Sequence, residues 1–236
     1  TIQDRPAHIV GVKVRTSEFL AHSADKERAG LWSARSVADR ARLPLMVHYP
    51  GSALTEEEIL DRLRPGDILT HIYHPWTWGP LDRHGRLMPM YREAKRRGVV
   101  FDLGHGRGAF GFEAAERCMD QGLLPDTISS DLYSMNVDGP VYDTLTTMDK
   151  MLALGMTLED VLRATTSRPA EVIGCADQIG RIEAGLCADV SILDFVEGPG
   201  ELRDVLGHTR IAPRRLRCRG VIRNGQVVWL DRSSTW

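Results

Sequence analysis

Paired cysteines, long apolar runs and an excess of one charge are all missing from this chain. Its four cysteines, Cys118, Cys175, Cys187 and Cys218, lie far apart and form no CxxC pair. That spacing argues against a zinc knuckle, a disulfide scaffold and a dithiol redox motif. Free, mostly buried thiols in a reducing, cytoplasmic compartment are the expectation. The 30 Lys and Arg nearly balance 32 Asp and Glu, for a net charge of −2. Such a balance offers nothing to nucleic acid or to an anionic membrane surface. No apolar run approaches the roughly 20 residues of a membrane-spanning helix. No GxGxxG follows a first strand, and Gly104-His-Gly-Arg-Gly108 is glycine-rich but lacks that spacing and has no Walker lysine. His-x-His is absent too, the eight histidines standing at 8, 22, 48, 71, 74, 84, 105 and 208.

What is present is an alternation of strands and helices. Strands are expected at Ile9–Val14, Leu45–His48, Ile68–Ile72, Val99–Leu103 and Thr127–Ser130. The lead-in Asp4-Arg-Pro-Ala-His8 runs straight into the first of them, so the start reads as the middle of a fold. Helices are expected at Ser23–Arg42, from Thr55 to about Leu63, at Met88–Arg97, Phe112–Gln121, Val141–Leu154 and Leu158–Thr165, with one more turn at Pro169–Ile173. Thr55 and Glu58 have the spacing of a capping box, and Gly98 stops the helix before it. Pro75, Trp76, Trp78, Gly79 and Pro80 mark a loop. Strands separated by helices pair in parallel through right-handed crossovers. The fold class is therefore α/β, either an open doubly wound sheet or part of a (β/α)8 TIM-type barrel. After about Ile173 the texture changes to short β-like stretches broken by glycine. Arg223-Asn224-Gly225 is a hairpin turn signal. The expected division is 1–173 for the α/β part and 174–236 for a small β module.

Four polar residues end apolar runs: Lys13, His48, His71 and Asp131. In parallel strands closed into a barrel, such ends converge on one mouth. Each has an ordinary explanation by itself: a salt-bridged or exposed lysine, structural histidines, an aspartate capping the next helix. Together they have the chemistry of a two-metal hydrolytic site. Strand alternation sets Ile9, Gly11 and Lys13 on one face and Val10, Val12 and Val14 on the other. Lys13 then points into the barrel, where burial favours its neutral amine. A neutral amine reacts with carbon dioxide to give a carbamate, an anion able to bridge two metal ions. His48 and His71, at equivalent places on successive strands, form a ligand pair of the type zinc takes. His74 competes with His71, but lies three residues further into the loop. Asp131 would bind the more exposed ion, act as general base and later protonate the leaving group.

In this order the residues resemble the amidohydrolase superfamily, and more narrowly its dihydroorotase-like amidohydrolase/deacetylase metallohydrolases. Phe101-Asp-Leu-Gly-His-Gly-Arg-Gly108 and Ala164-Thr-Thr-Ser-Arg-Pro-Ala170 are similar to that subgroup, as is Gly180–Asp194 to the return into its small β-sandwich. The resemblance implies that strands four to eight of the barrel are present, followed by a β-sandwich segment. It implies two divalent ions, most naturally zinc, with a carboxylated Lys13 as the bridge. His48 and His71 would hold the second ion and Asp131 the first. His105 would sit beside a small-molecule substrate; from their loop position alone, Tyr73, His74 and Trp76 are expected to shape the pocket. A further part of the same polypeptide, carrying a His-x-His pair, is expected as partner, with a homo-oligomer open. The implied activity is deacetylation of small acetylated compounds. The alternatives are cyclic-amide hydrolysis and an inactive structural subunit.

Overall fold

The computed structural model describes residues 2, 8–76 and 79–231. The lead-in at 4–7 and the loop residue Trp78 lie outside the described residues. The first strands are β1 (Val12–Arg15), β2 (Leu45–His48), β3 (Ile68–Thr70) and β4 (Val100–Asp102). They pair in parallel in sequence order, as one four-stranded sheet. Arg15 aligns with His48, His48 with Thr70, and Thr70 with Asp102. This register puts the polar strand ends side by side. Below them the sheet interior is apolar, with Leu45, Val47, Leu69 and Phe101 buried.

The fifth expected strand, Thr127–Ser130, is reduced to one parallel bridge, between Asp102 and Thr127. Its carbonyls still accept bonds from the segment after β4: Leu103 N–H donates to Thr127 O and His105 N–H to Ser129 O. The Ile128 N–H goes elsewhere, to Ala164 O on a helix. The Thr127 N–H does donate to Phe101 O, so the segment keeps the edge of β4 company over a single residue pair.

Helices fill the crossovers: α1 (Glu18–Ala21), α2 (Ala24–Ala41), α3 (Glu56–Leu60), α4 (Pro89–Arg97) and α5 (Phe112–Asp120). Then follow α6 (Thr144–Ala153), α7 (Leu158–Thr165) and α8 (Ser167–Val172). Capping sets most of their starts. Ser23, Thr55, Asp143 and Thr157 each accept the N–H three residues on, which satisfies a donor the helix itself cannot. Asp143 explains why α6 starts at Thr144 rather than at Val141. The Thr55 capping box is half formed, because the Glu58 carboxylate pairs with Arg28 on α2 instead. α5 begins after Gly111, which has no side chain to cap with. The Asp204 carboxylate, 92 residues away, takes the Phe112 N–H at 3.0 Å.

Asp204 belongs to the tail. There β5 (Val190–Arg203), β6 (Thr209–Arg223) and β7 (Gln226–Leu230) form a separate antiparallel sheet in sequence order. Its first strand begins only at Val190. Asn224 and Gly225 turn β6 into β7 with φ of 49° and 75°, the conformation a two-residue hairpin requires. Leu202, Ala212 and Leu216 enter the same apolar core as the parallel sheet. The Asp149 carboxylate on α6 takes the Leu216 N–H at 2.9 Å. All four thiols are free, but only Cys118 is buried and Cys187 is exposed. Burial pushes the Cys118 thiol up to about 12. No helix among the described residues is long and apolar enough to cross a membrane.

Candidate active site

Beyond the strand ends lies a cleft of about 920 Å³, lined by Arg15, His48, His71, Trp76, Gly106, Arg107, Asp131 and Tyr133 among others. His48 ends β2, and His71 directly follows β3. Parallel pairing sets their rings edge to face with centroids 4.4 Å apart. The His71 Nδ1 lies in hydrogen-bond contact with Gly104 O. A carbonyl only accepts, so Nδ1 carries the proton and Nε2 keeps its lone pair. That Nε2 is buried without a partner, and so is Nε2 of His48. His48 has the Pro50 backbone as its hydrogen-bond neighbour. A ring fixed through one nitrogen by a carbonyl, with the other left bare, is how metal-binding histidines are held.

Electrostatics keep both rings neutral. Burial, then the neighbouring His71, Arg15 and Lys13, lower His48 to about 3. Burial also lowers His71, against the opposing pull of Gly104 O, Asp131 and Asp102. Neutral imidazole is the form that ligates. Lys13 and Asp131 are both close enough to act on these rings, so the four strand-end residues do come together. Among the described residues, however, no three His, Cys, Asp or Glu side chains form a metal-holding group by themselves. The fit is that of a partial donor set: two bare imidazole nitrogens, one carboxylate and one amine.

Lys13 departs from expectation. Alternation along β1 holds, but Lys13 and Arg15 are the exposed pair and Val12 and Val14 the half-buried one. β1 is an edge strand of the described sheet, so nothing there covers the face that Lys13 occupies. Its register partner is Met46, two residues below His48. Arg15, at the His48 level, reaches the cleft instead.

Two of the four residues carry unusual backbone. His71 has φ of 72° and Asp131 φ of 46°. Left-handed backbone is uncommon outside glycine and concentrates at functional sites, at about 1–3 kcal/mol each. Glycines make room for it. A Cβ at Gly104 would sit 2.2 Å from Thr70 Oγ1 and 2.7 Å from His71 Nδ1, and one at Gly106 would lie 2.9 Å from Asp131 Oδ2.

The residues expected to meet substrate are placed otherwise. Tyr73 is buried in the core, its hydroxyl donating to Leu123 O at 2.7 Å. His105 is fully buried and turned away from the cleft, stacked on Phe110. His74 lines a second cavity of about 480 Å³, with Gly79, Arg117 and His208; neither of its ring nitrogens has a partner. Only Trp76 lines the cleft as expected, its indole N–H donating to Gly108 O at 2.7 Å. Sequence reasoning missed Arg15, Arg107 and Tyr133 at the cleft. Arg15 was findable, because it shares a strand face with Lys13 one level higher.

Buried neutral histidines make the fold acid-sensitive. His48, His74 and His105 are each lowered to about 3, chiefly by burial. The unfolded chain binds their protons below about pH 6.5 while the folded chain does not. Their contribution is complete above 6.5 and is lost as pH falls towards 3. Asp149, raised to about 6 by burial, works the other way between about 4 and 6. The histidines outnumber it. Denaturant unfolding should show stability about 2–3 kcal/mol lower at pH 5 than at pH 7; equal stability would contradict these placements.

The amidohydrolase family model matches residues 16–228. A deacetylase from Brucella anthropi is 34% identical over 200 residues, covering 85% of this chain and 49% of that protein. The crystal structure of an adenine deaminase superposes with a TM-score of 0.89 at 34% identity, covering 96% of this chain and 61% of that one. The crystal structure of a dihydroorotase does so with a TM-score of 0.84 at 30% identity and the same coverage. This chain thus spans about half the length of the Brucella anthropi relative. With the family model covering most of its length and the polar strand ends gathered at one cleft, the chain belongs to the amidohydrolase family.

Proposed function

We propose that this chain forms part of a metal-dependent hydrolase that removes acetyl groups from small amides or esters. The observation that carries this is the His48–His71 pair, with two buried, bare Nε2 atoms on rings 4.4 Å apart. Zinc suits that donor set. His48 and His71 would hold one ion and Asp131 a second. Lys13, exposed among the described residues, would become the carboxylated ligand once the closing segment covers it, since burial favours the neutral amine that takes up carbon dioxide. A segment carrying a His-x-His pair would supply the remaining ligands and help close the (β/α)8 barrel. Bound ions would contribute Lewis acidity and a more acidic water.

The rest is the work of this chain. Asp131, exposed at the cleft, receives the proton of the attacking water and returns it to the leaving group. Arg15 and Arg107 place two cations at the cleft and would hold an anionic substrate, such as the carboxylate of an acetylated amino or hydroxy acid. Trp76 and Tyr133 supply apolar wall. The four free thiols favour a reducing, cytoplasmic setting.

The relatives' names set the test. The protein carrying this sequence, loaded with zinc, should release acetate from acetylated amino or hydroxy acids. His48→Ala and His71→Ala should each lower zinc content by elemental analysis. Ammonia from adenine, or ring opening of dihydroorotate, with no acetate would overturn the deacetylase reading. Folded protein that takes up no metal would make the chain a structural subunit instead.

A further inference from the structure

Lys150 is the chemical oddity of the core. It lies on α6, fully buried, in the company of Tyr, Phe and Leu side chains as one of the largest. No salt bridge to it is found among the described residues. Its Nζ lies 2.7 Å from His105 Nε2 and 2.6 Å from Pro140 O. The Phe110 ring centroid is 5.7 Å away, and the Asp143 and Asp204 charges act on it from further off. An amine in such a place is costly, and an apolar residue of the same length would fill the space without that cost. Packing alone does not explain it.

Its partner does. His105 Nδ1 lies 2.9 Å from Gly106 O, so Nδ1 carries the proton and Nε2 accepts from Lys150. His105 is the one side chain of the tripeptide Gly104-His105-Gly106. Gly104 O fixes the His71 ring. Gly106 packs on the Asp131 carboxylate and donates its N–H to Ser130 O, one residue before Asp131. Both flanking glycines have left-handed backbone, at φ of 51° and 52°, so the tripeptide has little stiffness of its own. The His105 ring, clamped behind the cleft, fixes it together with the backbone bonds from His105 N–H to Ser129 O and from Gly106 N–H to Ser130 O.

We propose that Lys150 is a positioning residue: through His105 it locks the Gly104–Gly106 tripeptide and thereby sets both His71 and Asp131 in place for metal and substrate. Lys150 lines no part of the cleft, so it acts without touching either. This role rests on the metal-dependent reading above.

The experiment is zinc titration, steady-state kinetics and thermal unfolding of the whole protein carrying this sequence, comparing wild type, Lys150→Met, His105→Phe, His105→Gln and the double variant Lys150→Met/His105→Phe. Lys150→Met should keep its unfolding midpoint without metal, yet bind zinc about 10- to 100-fold more weakly, with lower kcat and little change in KM. The double variant should be no worse than the single ones, because the two residues act as one unit. His105→Gln, whose side-chain oxygen can accept from Lys150, should recover most of the zinc affinity that His105→Phe loses. If Lys150→Met does not fold, the two His105 variants decide by the same comparison. Unchanged zinc affinity and kcat in Lys150→Met, or equal losses in His105→Gln and His105→Phe, would overturn the positioning role while leaving the hydrolase reading intact. Wild-type protein that binds no zinc would remove both.

Discussion

Asp131→Asn should lower kcat by about 10³-fold while the unfolding midpoint stays within a few degrees. Two features of the site make this a clean test. First, Asp131 is exposed, and its one hydrogen bond of structural consequence uses the backbone: Asp131 O accepts from Asn136 Nδ2 at 3.0 Å. Removing the charge therefore leaves no buried group unpaired. Second, its φ of 46° is a conformation that asparagine adopts as readily as aspartate. The substituted side chain would keep the backbone, the volume and the packing against Gly106. What it loses is the ability to take a proton. Steady-state kinetics on an acetylated substrate, beside thermal melts, check this. Activity within tenfold of wild type would remove Asp131 from the role of base.

Asp102→Ala should be the most destabilising single change near the site, at about 3–5 kcal/mol. Asp102 is buried, with no salt bridge to it among the described residues. Its carboxylate is satisfied by three hydroxyls instead: Thr70 at 2.5 Å and Ser129 at 2.8 Å on Oδ2, and Thr127 at 2.6 Å on Oδ1. Alanine strands all three donors in a place where water is scarce, and each orphan costs about 1–3 kcal/mol. The hydroxyls come from β3 and from the segment leading to Asp131, so the clamp holds together the two pieces of chain that carry His71 and Asp131. Urea unfolding would measure the loss, with Thr127→Val as a milder comparison because it removes one of three bonds. A loss below about 1 kcal/mol for Asp102→Ala would mean that water replaces the carboxylate.

That clamp also marks the limit of what a reader of the sequence can see. His48 and His71 were legible, because an apolar run ending in histidine has few meanings once its strands pair in parallel. The hairpin at Asn224-Gly225 was legible for a local reason, as only a few residues take that turn. Thr70, Thr127 and Ser129 were not, since a hydroxyl on a strand is commonplace until its partner is known, and Asp102 is 25 to 32 residues away from those it binds. The alternation of Lys13 was read correctly. Which of its two faces is covered was not, because cover depends on the neighbours of an edge strand rather than on the strand. His105 was drawn to the cleft by its place in a glycine-rich loop. The buried amine of Lys150, 45 residues on, turns it inward, and no local pattern announces such a pairing. The parallel sheet and the neighbouring histidines thus follow from periodicity and strand-end chemistry, whereas the supports behind those histidines depend on long-range partners.

The left-handed backbone at His71 and Asp131 bears on any attempt to make this protein hardier. Stability screens reward glycine wherever a residue with a side chain is held in that conformation. They would therefore nominate these two positions early, since each holds a residue the local geometry disfavours. Accepting either nomination would trade turnover for heat resistance. A hardier variant is better sought on the outer helices, where no residue is held in a shape for the sake of the chemistry.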